Sequence, residues 1–253
     1  MLATDRGKGI EMSKRKYVLA STLGAIGALL VSGTASAAVT GFTYGASISP
    51  KKQSAKTFGP AAITSTLDTT FAPGGFAPTP TTTVVQFSKD IKFTPGNLPQ
   101  CNLSSISTVP DSTAMSLCGS SIVGQGSVLV NGGTLIGKVT AYNGIPTGGG
   151  IPPIGFHTDL FLASGVYSFS TTGIGTLDTK TNTLTTPIPP TGTSLTHFDV
   201  AIGKVKTGKK KGKATYYVMA RCKKKKWSHT ATETFADGST LSSTSVQKCK
   251  AKK

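Results

Sequence analysis

The chain has 253 residues, of which 27 are Lys or Arg and 10 are Asp or Glu, for a formal charge of +17. That length is enough to bury a real core. The scarcity of acids leaves few carboxylates to pair for catalysis, and beyond the N-terminus no stretch is long and apolar enough to cross a bilayer as a helix.

Lys14, Arg15 and Lys16 precede an apolar, uncharged run from Tyr17 to Gly33, and Ala35-Ser36-Ala37 follows with the small residues of a cleavage site. This order predicts a secretory signal peptide over residues 1–37. The rival reading, a membrane anchor, is disfavoured because the run falls short of the roughly 20 residues that span a bilayer. Met12 is an alternative start, since Met1 to Glu11 adds Asp5 and Glu11 ahead of the basic segment. Cleavage leaves residues 38–253 with 22 basic and 8 acidic residues, a net of +14. No interior linker divides them, so they are expected to form one domain with a basic C-terminal tail, secreted or associated with the cell envelope.

Val39 to Ser49 reads as a first strand, followed by a polar loop at Pro50-Lys51-Lys52. Ala61 to Thr83 is rich in Thr, Ala, Gly and Pro and reads as loop or sheet edge. Thr82 to Phe93 is a strand with Val85, Phe87, Lys89, Ile91 and Phe93 on one face. Ser120 to Asn131 and Thr134 to Tyr142 flank Asn131-Gly132-Gly133, a hairpin signal. Asn143 to Pro153 is a loop, and Phe156 to Ser170, Ile188 to Ile202 and Ala214 to Cys222 are further strands. No amphipathic helix is expected after the signal segment. Many short strands punctuated by Gly, Pro and Thr predict an all-β fold, an antiparallel β-sandwich of Ig-like or jelly-roll-like type.

Cys101, Cys118, Cys222 and Cys249 all follow the signal segment, and an even number in an oxidising compartment predicts two disulfides. Three connectivities exist; the sequence-local one, Cys101 to Cys118 and Cys222 to Cys249, brackets plausible loop and hairpin sequence. A metal site is the rival, but no Cys-x-x-Cys spacing occurs. No metal or cofactor is expected.

Asp237-Gly238 between Ser- and Thr-rich runs predicts a two-residue type I′ hairpin. Its register would set Phe235 opposite Thr240, Glu233 opposite Ser242, His229 opposite Val246 and Lys226 opposite Cys249. Cys222 would come from the preceding strand through Lys223 to Lys226. The outer strands of a plain meander stand about 9.6 Å apart, beyond the ~7 Å Cα reach of a disulfide. The tails must therefore curl over the middle strand, or the strand order must differ.

Basic residues crowd the last fifty positions. Lys209, Lys210, Lys211 and Lys213 form one loop, and Arg221, Lys223, Lys224, Lys225 and Lys226 form another beside Trp227. These ten residues are candidates for binding an anionic cell-wall polymer or polysaccharide. A strand between the two loops would set them at opposite ends, so one continuous patch is not implied. The bland alternative is solvated turns that keep the protein soluble and guard strand edges. Nucleic acid is the weaker partner, since no sequence signature for it is present.

Leu98-Pro99-x-Cys101, Cys118-Gly-Ser-Ser-Ile122-x-Gly124-x-Gly126, Tyr142-Asn143-Gly144 and the late Tyr-rich strand into Cys222, with Trp227 and Asp237-Gly238, form a pattern. It resembles a group of uncharacterised secreted actinobacterial proteins. The likeness spans about Thr82 to Cys249 and implies an extracellular β architecture, with no activity attached.

Evidence for an enzyme is thin. Ser49-Pro50-Lys51-Lys52 and Lys206-Thr207-Gly208 match the outer two signatures of penicillin-interacting serine enzymes, but the middle Ser-Asp-Asn is missing and Ser49 closes a strand. His157 and His197 each stand two residues from an aspartate, Asp159 and Asp199, which puts each pair on one strand face. The expectation is therefore a non-catalytic envelope-associated protein. A secreted hydrolase using one of the His-Asp pairs, with Asp159 or Asp199, His157 or His197 and a nucleophile converging in one pocket, is one alternative. A purely structural exported domain is the other.

Overall fold

Apolar and polar residues alternate with period two through most of the chain, and the backbone is extended wherever they do. The computed structural model describes residues 38–252 apart from 74–77, 97, 148–149, 190–193 and 211–212. The expected signal segment and Lys211 lie outside the described residues, as do the side chains of Lys210 and Lys213.

The strands are β1 (Val39–Ser49), β2 (Lys52–Ser54), β3 (Gly59–Phe71), β4 (Pro80–Gln86), β5 (Ile91–Phe93), β6 (Ile122–Val130), β7 (Leu135–Asn143), β8 (Ile154–Leu162) and β9 (Tyr167–Asp178). They continue with β10 (Thr183–Pro187), β11 (Leu195–Ile202), β12 (Lys206–Lys210), β13 (Lys213–Tyr216), β14 (Val218–Ala220), β15 (Lys226–Phe235), β16 (Thr240–Lys248) and β17 (Lys250–Lys252). One α-helix, α1 (Asp111–Cys118), lies inside the first disulfide loop.

The fold is a sandwich-like, mostly antiparallel β-structure whose two layers are halves of one hydrogen-bonded sheet. One layer runs β16-β15-β4-β10 and the other β8-β7-β6-β11-β3, with β1 beyond β3. Strand β9 belongs to both: Tyr167 to Gly175 pairs with β8, and Thr176 to Asp178 pairs with β10. Strands that switch sheets in this way form the corners of sandwiches. The core fills the space between, with Val85, Leu184, Ala231 and Trp227 on one side and Ile63, Val128, Phe156 and Val200 on the other. The described residues form one compact unit.

The layers also meet at their other margin. The amides of Tyr44, Ala46 and Ile48 donate to Ser243 Oγ, Ser245 Oγ and Gln247 Oε1, at 3.1, 2.9 and 2.6 Å. Gln247 Nε2 and Ser245 Oγ donate in return to the carbonyls of Ile48 and Ala46. Side chains of β16 thus occupy the groups that β1, an edge strand, would otherwise expose.

Four expectations need correction. The segment expected as loop, Ala61 to Thr83, holds the thirteen-residue strand β3, paired with β1, β11 and β14. Its threonines are good strand formers, and Ala61, Ile63, Leu67 and Thr69 face inward. The strand expected over Thr82 to Phe93 is broken after Gln86, where Asn182 Nδ2 donates to the carbonyls of Phe87, Ser88 and Ile91 and bends the chain. Helix α1 was not anticipated, because eight residues give too short a window for an amphipathic period. Finally, the β15–β16 register is displaced by one: Thr234 faces Thr240, Glu233 faces Leu241, His229 faces Ser245 and Lys226 faces Lys248.

That displacement comes from the turn. Gly238 alone takes a positive φ, 82°, while Asp237 Oδ1 accepts from the amide and hydroxyl of Ser239. Gly238 N donates to Phe235 O and Phe235 N to Ser239 O, a three-residue loop with glycine at its left-handed position. One extra loop residue shifts every partner.

Both disulfides form as expected, Cys101 to Cys118 and Cys222 to Cys249, with Cα separations of 5.3 and 5.9 Å. The meander problem is solved by strand order. Cys222 follows β14, which pairs with β3 and β5 rather than with β15, and the chain beyond Cys249 leaves to pair as β17 with β2 in parallel. The first disulfide closes a small second core of Leu103, Ile106, Ala114 and Tyr142. It includes Tyr142 from β7 and so lies against the sheet rather than in the main core.

Candidate functional site

Three segments carrying lysine meet around the Cys222–Cys249 bridge. Lys250 N donates to Lys51 O, Cys249 N to Lys225 O and Cys222 N to Ser54 O, each at 2.8–2.9 Å. Lys51, Lys52, Lys223, Lys224, Lys225, Lys226, Lys248, Lys250 and Lys252 are all exposed there. Lys226 stands directly opposite Lys248, and Lys52 opposite Lys250. The carboxylate at this end, Asp90, is occupied: Arg221 Nε donates to it at 2.8 Å and Lys223 N at 3.3 Å.

Two of the ten sequence candidates are drawn into the scaffold. Trp227 is 0% exposed, and its indole Nε1–H donates to Arg221 O at 2.7 Å. It supports the lysine turn from beneath and is out of reach of a polymer. Its alternation with His229, Ala231, Glu233 and Phe235, all buried, was the signal that it faces inward. Arg221 is bound to Asp90 and stacks 4.7 Å over the Phe58 ring. Lys209 is exposed on the separate β12–β13 hairpin, whose backbone also includes Lys210 and Lys213. Strands β13 and β14 intervene before the Lys223 turn, as expected. Lys51 and Lys52 were missed, because only the β2–β17 pairing, some 200 residues apart in sequence, brings them in.

The two His-Asp pairs lie on the outer face of the same layer, three strands apart, about 14 Å across the sheet, and offset by four residues along it, since Ala201 rather than His197 is level with His157. They do not converge. His157 is 0% exposed, beneath the disulfide-closed segment. Its Nδ1 is 3.0 Å from Thr172 Oγ1 and its Nε2 3.3 Å from Asp159 Oδ1, without an aligned hydrogen bond on Nε2. Burial pushes its pKa down despite the nearby Asp159 and Asp111 carboxylates. Asp159 accepts from Asp111 N at 2.7 Å and Ser170 Oγ at 2.6 Å, and Asp111 accepts from Lys138 and Thr140. The cluster fastens α1 to the sheet. His197 is bound to Asp68, with Nδ1 to Oδ1 2.7 Å, and lies 4.0 Å from Asp199. The hydroxyl at this pair, Ser127 Oγ, donates to Asp199 rather than to the imidazole, the reverse of a Ser-His-Asp relay. Among the described residues no group of three or more His, Cys, Asp or Glu is placed to hold a metal ion.

Between the layers lies a cavity of about 150 Å³. Its wall is apolar, drawn from eight strands, with Phe87, Phe156, Phe198, Val128, Leu160 and Leu184 prominent. Pro187, at the end of β10, is the exposed member of the lining. One wall residue, Thr83, is 6% exposed, and its hydroxyl makes no aligned hydrogen bond, the Glu233 carboxyl being the polar group beside it. Its cross-strand neighbour is Glu233, 0% exposed. Glu233 Oε2 accepts from Thr69 Oγ1 at 3.0 Å, while Oε1 lacks an aligned partner although Thr83 lies close by. Burial pushes the Glu233 pKa up to about 7, and the threonine hydroxyls pull it back only in part. Four residues along the same strand face, burial holds His229 down at about 4. The sequence register sets Glu233 opposite Ser242; in the structure it stands opposite Leu241 and its side chain faces the core. No protein-family model, curated protein or solved structure matches this chain.

Proposed function

We propose that the chain is an exported, non-catalytic protein that attaches to anionic polymers of the cell envelope through its lysine-dense end. The observation that carries this reading is the gathering of lysines from residues 51–52, 223–226 and 248–252 by backbone hydrogen bonds and one disulfide. Like charges facing each other across adjacent strands oppose folding. Lys226 against Lys248 and Lys52 against Lys250 do this twice, an arrangement that a polyanion relieves. Two disulfides with no free cysteine and the signal-like N-terminal segment support export.

The test compares the protein with a variant carrying Lys223→Ser, Lys224→Ser, Lys225→Ser and Lys226→Ser. Binding to isolated cell wall and to polyphosphate is measured across salt concentrations. Each neutralised anion contributes about 0.7 to the slope of log affinity on log salt for a single-stranded polyanion, so the variant's slope should be shallower by about 3. Binding that ignores salt, or that the variant retains unchanged, would overturn the reading.

A further inference from the structure

We infer that the cavity between the layers is a binding site for a compact, uncharged molecule of single-ring size that carries one hydroxyl group. Protein interiors are normally packed to the density of organic crystals, and voids larger than a water molecule are few. A cavity of about 150 Å³ is therefore a costly feature, and a dry apolar cavity of about that size accepts benzene. The aromatic walls suit a ring: Phe156 and Phe198 already meet edge to face at 5.8 Å.

The hydroxyl requirement comes from Thr83. Buried polar groups nearly always find partners, yet Thr83 Oγ1, on the cavity wall, makes no aligned hydrogen bond, and neither does Oε1 of the Glu233 carboxyl beside it. A hydroxyl can donate and accept, so one such group on the ligand suits Thr83 with or without help from the carboxyl. A charged head is disfavoured, because no cationic side chain is among the wall residues. Pro187, exposed at the end of β10, marks the side from which the cavity is reached. The cavity is separate from the lysine end, so either reading can fail alone.

The experiment titrates the full chain with benzene and with phenol, following affinity by calorimetry and location by the methyl resonances of Leu160, Leu184 and Val128. Both probes should bind, phenol at least tenfold more tightly, with shifts centred on those methyls. Thr83→Val, which keeps the shape and removes the hydroxyl, should abolish the preference and leave benzene within about twofold. Thr83→Ser should keep the preference. Failure of both rings to bind, binding elsewhere, equal affinities in the unaltered chain or a preference that survives Thr83→Val would each overturn the assignment. The benzene–phenol comparison needs no variant, so a Thr83→Val chain that does not fold leaves the test standing.

Discussion

Trp227→Ala is expected to lower the free energy of unfolding by about 3–5 kcal/mol, the range for truncating a buried aromatic side chain. Trp227 is among the largest fully buried side chains and packs in the main core. Truncation removes that contact area, leaves a void, and strips Arg221 O of the indole N–H that it accepts. Trp227→Phe separates the contributions: it keeps most of the apolar area but leaves the carbonyl unpaired, a cost of about 1–3 kcal/mol. Urea unfolding of the three proteins checks the order. A midpoint for Trp227→Ala within the range of surface substitutions would show that the ring is not buried. Weakened polymer binding in Trp227→Phe, with the fold intact, would show that the indole also sets the shape of the lysine turn.

The second large effect is one of pH and appears on Glu233→Gln. Glu233 is held above its ordinary 4.5, at about 7, so its contribution to stability is fully present below 4.5 and is lost as pH rises through about 7. His229 is held below its ordinary 6.5, at about 4, so its contribution is present above 6.5 and is lost as pH falls through about 4. Between about pH 4.5 and 6.5 the two oppose each other. Folding puts a proton on Glu233 and takes one from His229, and the net uptake from this pair is zero. Glu233→Gln removes one side of that balance. Stability of the variant should then climb by about 3 kcal/mol between pH 4 and 6.5, where these two groups leave the unaltered chain nearly flat. Denaturant midpoints at half-unit pH intervals read the difference directly, and parallel profiles for the two proteins would rule out a buried, neutral Glu233.

Local signals carried much of the fold. Val39 to Ser49 reads as a strand at the observed bounds of β1, Asn131-Gly132-Gly133 marks a true hairpin, where Asn131 and both glycines take positive φ, and the sequence-local cysteine pairing gives both bridges. The errors have local causes as well. Asp237-Gly238 is compatible with two loop lengths, and the backbone pairing of Phe235 with Ser239, with the Asp237 to Ser239 hydrogen bonds, selects the longer one. Threonine is common in loops and in strands alike, which hid β3. What sequence could not convey is long-range: the union of Lys51 and Lys52 with the C-terminal lysines depends on a parallel pairing of the tail, and the cavity wall is assembled from strands spread between Tyr44 and Ile202. Trp227 is a different case. Its strand alternation marks it as inward-facing, whereas its place beside four lysines in the chain suggests a surface residue; the alternation decides.

The margin where β1 meets β16 bears on how the chain is made. The residues joined there are 199 positions apart, so β1 is synthesised well before its partners Ser243, Ser245 and Gln247. During that interval the amides of Tyr44, Ala46 and Ile48 are a bare strand edge, open to a second nascent chain. The C-terminal hairpin is therefore the element whose arrival ends the aggregation-prone phase of biogenesis. A chain truncated before Thr240 would retain most of its core yet carry that edge for life.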